Sequence, residues 1–230
     1  MTCTDVGLRE LAAEGAATLA DSSAEEVLQW AADSGLRLAV AGSMQDTVLV
    51  HLAGVVVPGV DVIFLDTGYH FPETLQTRDR VAASYHVNVR TVSPRQTVAE
   101  QNADFGVALH ERDPDLCCAL RKTHPLDEAL DDYDAWATGL RRAESVARRD
   151  TPLVSFDERR DKIKLAPLAA WSDDQVTAYI AEHDLIVNPL LAQGYPSIGC
   201  ASCTRRVTGG ADARAGRWAG LDKTECGIHA

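Results

Sequence analysis

The chain has 230 residues, is 46% hydrophobic and carries a formal net charge of −12. That is enough for one large domain with a buried core, and no apolar run reaches the ~18 residues of a membrane span. The acidic balance argues against general nucleic-acid binding, and the N-terminus lacks the basic-then-apolar pattern of a secretory signal. The chain therefore reads as cytoplasmic, where its six cysteines stay reduced and a disulfide framework is not needed.

Residues 1–35 hold seven acids and one base. Leu8, Leu11, Ala12 and Ala16, then Val27, Leu28 and Ala31, recur at helical spacing, which predicts an acidic amphipathic helix. Leu36–Ala41 predicts a short buried strand that runs into Gly42-Ser-Met-Gln-Asp-Thr47 and an apolar helix from Val48. Val60–Leu65 is a second strand, followed by Asp66-Thr-Gly-Tyr-His-Phe-Pro-Glu73 and a helix to about Tyr85. Val87–Val92 is a third strand, and the Pro94 region begins another helix. Asp134–Thr138 is a fourth, entering a Gly-Leu-Arg-Arg loop. Strands and helices alternating at this spacing predict an α/β fold, a parallel Rossmann-like sheet flanked by helices.

The alternation weakens after residue 150. Leu153–Phe156 and Lys162–Ala166 resemble a hairpin. Ser172 is placed to cap a helix from Asp173 to about Glu182, with Asp173 and Asp174 in its first turn. Pro, Gly and Ser dominate from Asn188 onward. The expected organisation is an N-terminal helical segment (1–35), a nucleotide-binding α/β domain (36–205) and a mobile, cysteine-bearing C-terminal tail (206–230).

Four cysteines form two tight pairs, Cys117-Cys118 and Cys200-Ala-Ser-Cys203. Such a quartet suits an iron–sulfur cluster or a structural zinc ion, although zinc usually prefers two C-x₂₋₄-C knuckles. Two pairs of merely buried cysteines are the plainer alternative. Cys226 stands apart in Lys223-Thr-Glu-Cys-Gly-Ile-His229. Lys223 and His229 flank it and Arg214 and Arg217 lie upstream, and cations activate a thiol by lowering its pKa. A stray tail cysteine is the competing reading, and Cys3 has no such context. Basic islands at Arg121 and Lys122, at Arg141, Arg142, Arg148 and Arg149, and around the last three cysteines suit a small anion. Ordinary solvated charge competes at each of these positions. Gly42–Thr47 alone is equally a phosphate-holding turn and a plain tight one.

Taken together, the Ser/Gly turn after the first strand, Leu65-Asp-Thr-Gly-x-x-x-Pro-Glu73 after the second, Gly139-Leu-Arg-Arg-Ala-Glu-Ser145 and the Glu-Cys-Gly-Ile-His tail resemble the sulfonucleotide reductases. These are the assimilatory reductases of adenylyl sulfate (APS) and of its 3′-phosphorylated form (PAPS), with an adenine nucleotide alpha-hydrolase fold. The resemblance spans roughly residues 36–230, and the cysteine quartet is similar to that of the family's iron–sulfur branch. It implies a [4Fe–4S] cluster on Cys117, Cys118, Cys200 and Cys203, with Lys122 coupling cluster and substrate. It implies substrate contacts from Ser43, Asp66, Gly68, Arg141, Arg142, Arg214 and Arg217, and Cys226 as nucleophile with His229 beside it. The expected reaction forms an S-sulfocysteine on Cys226, which reduced thioredoxin, a separate protein, resolves to sulfite. Cluster cysteines usually accompany APS use, so APS is preferred to PAPS. The rivals are an ATP-pyrophosphatase of the same fold, which usually carries a fuller Ser-Gly-Gly-x-Asp-Ser loop, and a zinc-stapled binding module.

Overall fold

In the computed structural model, described for residues 7–208, 212–221, 223 and 225–229, the strands are β1 (Leu38–Ala41), β2 (Val60–Leu65), β3 (Val87–Val92), β4 (Ala135–Thr138), β5 (Val154–Asp157) and β6 (Lys162–Leu165). They form one sheet in the order β3-β2-β1-β4-β6-β5. All neighbours are parallel except β5 and β6, which pair antiparallel as the expected hairpin. Alternation along the strands gives the sheet two apolar faces. Val40, Val62, Phe64 and Ala137 face the larger core, while Ala39, Ile63 and Trp136 face a smaller one with Leu126, Leu130 and Tyr133.

The N-terminal segment is two helices rather than one, α1 (Leu8–Thr18) and α2 (Ala24–Asp33). The break is chemical. Ser23 accepts from the Glu26 amide, and the Glu26 carboxylate accepts from the Ser23 amide, a capping box that starts a new helix. Both helices bury residues in the larger core. After β1 and β2 come α3 (Val48–Val56) and α4 (Pro72–Ser84). After β3 comes α5 (Val98–Phe105), which starts at the Thr97 capping box, later than the Pro94 region.

Residues 109–129, where periodicity predicts no element, are helical: α6 (Leu109–Arg112), α7 (Pro114–Cys118), a π-helical turn at Ala119–Thr123 and α8 (His124–Ala129). The widened turn falls just before Pro125, which has no amide hydrogen and whose ring crowds the carbonyl one turn back. That turn carries Arg121 and Lys122. The helix α9 (Asp173–Glu182) begins at Ser172 as expected, with Gln175 completing its capping box.

Candidate active site

Strand order reverses around β1, which has β2 on one side and β4 on the other. Ligands of open α/β sheets bind at such a point, beyond the strands' carboxyl ends. A cleft of about 240 Å³ opens there, lined by Ser43–Thr47 after β1, Leu65 and Thr67 after β2, and Thr138–Leu140 after β4. The loop after β1 is strained: Met44 (φ 57°) and the β-branched Thr47 (φ 59°) both lie in the left-handed region. Its neighbours hold it there. Thr47 Oγ1 donates to the Ile186 carbonyl at 2.6 Å and lies 3.1 Å from the Tyr85 hydroxyl. Asn188 donates its side-chain amide to the Met44 carbonyl at 3.2 Å and its main-chain amide to the Gln45 carbonyl at 2.9 Å.

The opposite wall is cationic. Lys122, Arg148, Arg214 and Arg217 all line the cleft, together with Cys226 and His229. Arg217 crosses directly over Gly199, where an added Cβ would sit 2.2 Å from its Nη2, so residue 199 has no room for a side chain. Its guanidinium lies 4.5 Å from the Trp218 ring centre and within 3.5 Å of Ser197 Oγ. Burial lowers the Lys122 pKa, but the Cys200, Cys226 and Cys118 sulfurs outweigh it and leave the lysine above its ordinary value. Among the described residues no carboxylate pairs with Lys122 or Arg217; their charges face the cysteine sulfurs and the open cleft.

The residue preceding the nucleophile candidate takes up other charges. Arg148 holds Glu225 bidentately (2.9 and 2.7 Å), Arg214 Nη2 reaches the same carboxylate at 3.0 Å, and Ser145 Oγ donates to it at 3.3 Å. Arg148 also pairs with Glu144. Cys226 is thereby presented to the cleft. A hydrogen bond from Cys118 lowers its pKa, burial opposes this, and Lys122, the Ile228 amide and Arg217 lower it further. The Cys118 contribution requires a protonated Cys118 thiol, whereas the other three favour a Cys226 thiolate independently of it.

His229 stacks against Trp136, with ring centroids 5.9 Å apart and planes at 5°. Burial, reinforced by Lys164, Arg148, Arg160 and Arg214, drives its pKa well below 6.5, so the imidazole is neutral at physiological pH. Protonating it works against the folded tail. The stability that the neutral ring contributes is lost as pH falls below 6.5, where the unfolded chain takes up the proton first. An NMR titration is expected to place the His229 midpoint below 6.5, and a midpoint at or above that value would mean that the ring is not seated in this way.

All five described cysteines, Cys117, Cys118, Cys200, Cys203 and Cys226, are free thiols; Cys3 lies outside the described residues. Cys117, Cys118, Cys200 and Cys203 surround one small cavity with Arg121, Lys122 and Tyr69. No carboxylate lines it. Arg121 is 3% exposed, and it donates to the Thr67 carbonyl and, at 3.0 Å, to Gln101 Oε1. Gly68 (φ 73°) makes room for it, because an added Cβ there would lie 3.2 Å from Arg121 Nη2. Thr67 Oγ1 in turn contacts Cys200 Sγ at 3.3 Å. Among the described residues, no three or more His, Cys, Asp or Glu side chains converge into a group that could hold a metal ion. Four thiols around a cation-flanked cavity fit a polynuclear centre whose total charge is negative.

Of the residues expected from sequence, Ser43, Lys122, Arg214, Arg217, Cys200, Cys226 and His229 line the cleft, and Cys117, Cys118 and Cys203 line the adjoining cavity. Four do not reach the cleft. Asp66 accepts from the Gly68 amide at 3.0 Å and shapes the turn behind Thr67. Gly68 serves Arg121, as described. Arg141 is buried against Asp173 and Glu144. Arg142 is exposed and donates to the Thr151 carbonyl at 2.8 Å. Arg148, which the adjacent-arginine pattern passes over, lines the cleft in their stead. The Glu144-x-x-x-Arg148 spacing was the available signal.

Residues 35–206 match the phosphoadenosine phosphosulfate reductase domain family, and the chain belongs to that family. It is an oxidoreductase family acting on sulfonucleotides. Among curated proteins, the chain is 59% identical to the adenosine 5′-phosphosulfate reductase of Streptomyces coelicolor, covering 96% of this chain and 94% of that one. It is 55% identical to the enzyme of the same name from Mycolicibacterium smegmatis, covering 99% and 97%. Among solved structures, phosphoadenylyl-sulfate reductase from Candida auris superposes with a TM-score of 0.72 at 30% identity, over 88% of this chain and 98% of that one. An FMN adenylyltransferase from Candida glabrata (TM-score 0.58, 11% identity, 84% and 70% covered) shares the fold alone.

Proposed function

We infer that the protein reduces APS to sulfite and AMP in sulfate assimilation. The observation that carries this reading is the position of Cys226, at the inner wall of the switch-point cleft beside Lys122 and Arg217. The full-length relatives at 55–59% identity are named for APS, which favours it over the PAPS named for the 30% identical structure.

In the first step the Cys226 thiolate attacks the sulfur of the phosphosulfate. A sulfur–sulfur bond forms, the sulfur–oxygen bond to the phosphate breaks, and AMP leaves with the electron pair. Lys122 and Arg217 offset the charge that builds on the transferring group and on the departing phosphate. In the second step a thiolate of a dithiol protein, thioredoxin or one like it, attacks Cys226 Sγ. Sulfite leaves with the sulfur–sulfur electron pair, and the partner's second thiol releases Cys226, so two electrons pass from dithiol to substrate.

Cys117, Cys118, Cys200 and Cys203 would hold a [4Fe–4S] cluster. When bound, it would supply compact negative charge against Arg121 and Lys122. The donor chemistry and the cation-flanked cavity support this assignment. The deciding assay compares APS and PAPS with reduced thioredoxin. Sulfite is expected from APS, while preference for PAPS, or pyrophosphate release from ATP, would overturn the reading.

A further inference from the structure

Beyond Cys226, Ile228 and His229 are gripped at their main-chain carbonyls as well as packed by their side chains. Arg160, in the turn between β5 and β6, has a side chain only 2% exposed. Its Nη1 donates to the Ile228 carbonyl at 3.0 Å and to Asp157 at 2.9 Å, and its Nε donates to Asp127 at 2.8 Å. Two carboxylates therefore fix the direction of the fork, and the fork points at a peptide carbonyl of the tail. Trp136 Nε1 donates to the same Asp157 oxygen at 3.1 Å, which anchors that carboxylate too. Four residues along, Lys164 Nζ donates to the His229 carbonyl at 3.2 Å. Between these two contacts the Ile228 side chain packs on the smaller core. Neither Arg160 nor Lys164 lines the nucleotide cleft; Lys164 borders the neighbouring cavity beside Cys226 and His229.

We propose that Arg160 and Lys164 are positioning residues: a clamp on the Ile228 and His229 carbonyls that seats the tail and fixes the Cys226 sulfur at the cleft. This rests on the reading of Cys226 as nucleophile. The Arg148–Glu225 contact secures the chain on one side of Cys226 only, and a segment held at one end keeps the torsional freedom that costs a reacting atom its alignment. The clamp supplies the second anchor. Charge-assisted hydrogen bonds to carbonyls are among the stronger ones available. Because they read main-chain atoms, the clamp is indifferent to side-chain identity except for the packing of Ile228 and His229.

The test uses the enzyme with its cluster and the variants Arg160→Met and Lys164→Met. Deuterium uptake by the amides of residues 225–229, followed by mass spectrometry, is expected to speed up about tenfold in each, the equivalent of about 1.4 kcal/mol. The single-turnover rate of S-sulfonate formation on Cys226 is expected to fall by a similar factor, with AMP affinity unchanged. A merely structural role would move neither the tail's exchange alone nor the chemical step at constant AMP affinity. Should Arg160→Met fail to fold because Asp157 is left buried and unpaired, Lys164→Met, at a half-exposed position of β6, decides alone. Unchanged uptake in Lys164→Met overturns the proposal, as does faster uptake with an unchanged sulfonation rate. If Cys226→Ser retained turnover, the nucleophile reading would fail while the exchange result still reported the clamp.

Discussion

Cys226→Ser is expected to lower sulfite formation from APS by roughly 10³-fold or more, the scale on which loss of a covalent nucleophile acts. Serine keeps the shape but replaces an acidic, polarisable thiol with a hydroxyl that Lys122 and Arg217 cannot ionise near neutral pH. The same variant is expected to retain the wild-type iron content and brown colour, because Cys226 lies outside the quartet. Trapping wild-type enzyme with radiolabelled sulfonucleotide should leave label on Cys226 and on no other residue. Turnover close to wild type in the serine variant would remove Cys226 from its role.

Cys117→Ala is expected to abolish iron binding and, with it, turnover. Wild-type protein prepared anaerobically should hold about four irons per chain, and the variant should be colourless. Cys117 is the informative member of the quartet. Cys118 lies against Cys226, so truncating it would alter the surroundings of the nucleophile directly. Cys117 instead faces Cys200 and Cys203, and burial followed by those two sulfurs pushes its thiol up to about 11. Such a thiol stays protonated in the protein alone and becomes a good ligand only when a metal displaces its proton. Stoichiometric zinc without iron in the wild type would overturn the cluster assignment, whatever the activity of the variant.

The parallel strands were legible because each is a short apolar run followed by a turn. The helix at Asp173 was legible because Ser172 caps it. The gap between α1 and α2 was equally readable from Ser23-x-x-Glu26, but the helical spacing of leucines and alanines runs on both sides of the break and masks it. The helices between residues 109 and 129 escaped because they are short and bent around Pro125. The grouping of the quartet around one cavity was readable from its two cysteine pairs, and the placing of Cys226 at the cleft from its basic, motif-like surroundings. The arginines were harder. Arg141 and Arg142 stand at a strand end, yet the 3₁₀ turn at Arg142–Glu144 aims one at Asp173 and the other at solvent. Arg148 returns to the cleft only after that turn. Arg160 and Lys164 leave no side-chain signature at all, because what they grip is peptide carbonyl.

Glu225 has a consequence for how the cleft receives and gives up its ligand. With the tail in place, this carboxylate offsets part of the positive potential of Arg148 and Arg214. If the Glu225 carboxylate swung away from this wall, Arg148 would keep only Glu144 as counter-charge, and the wall would hold a doubly charged nucleotide more strongly. Loading would then be favoured with Glu225 displaced, while its return would raise the free energy of whatever anion remained inside and so work toward its expulsion. If Cys226 is the nucleophile, the residue before it would then double as an electrostatic ejector.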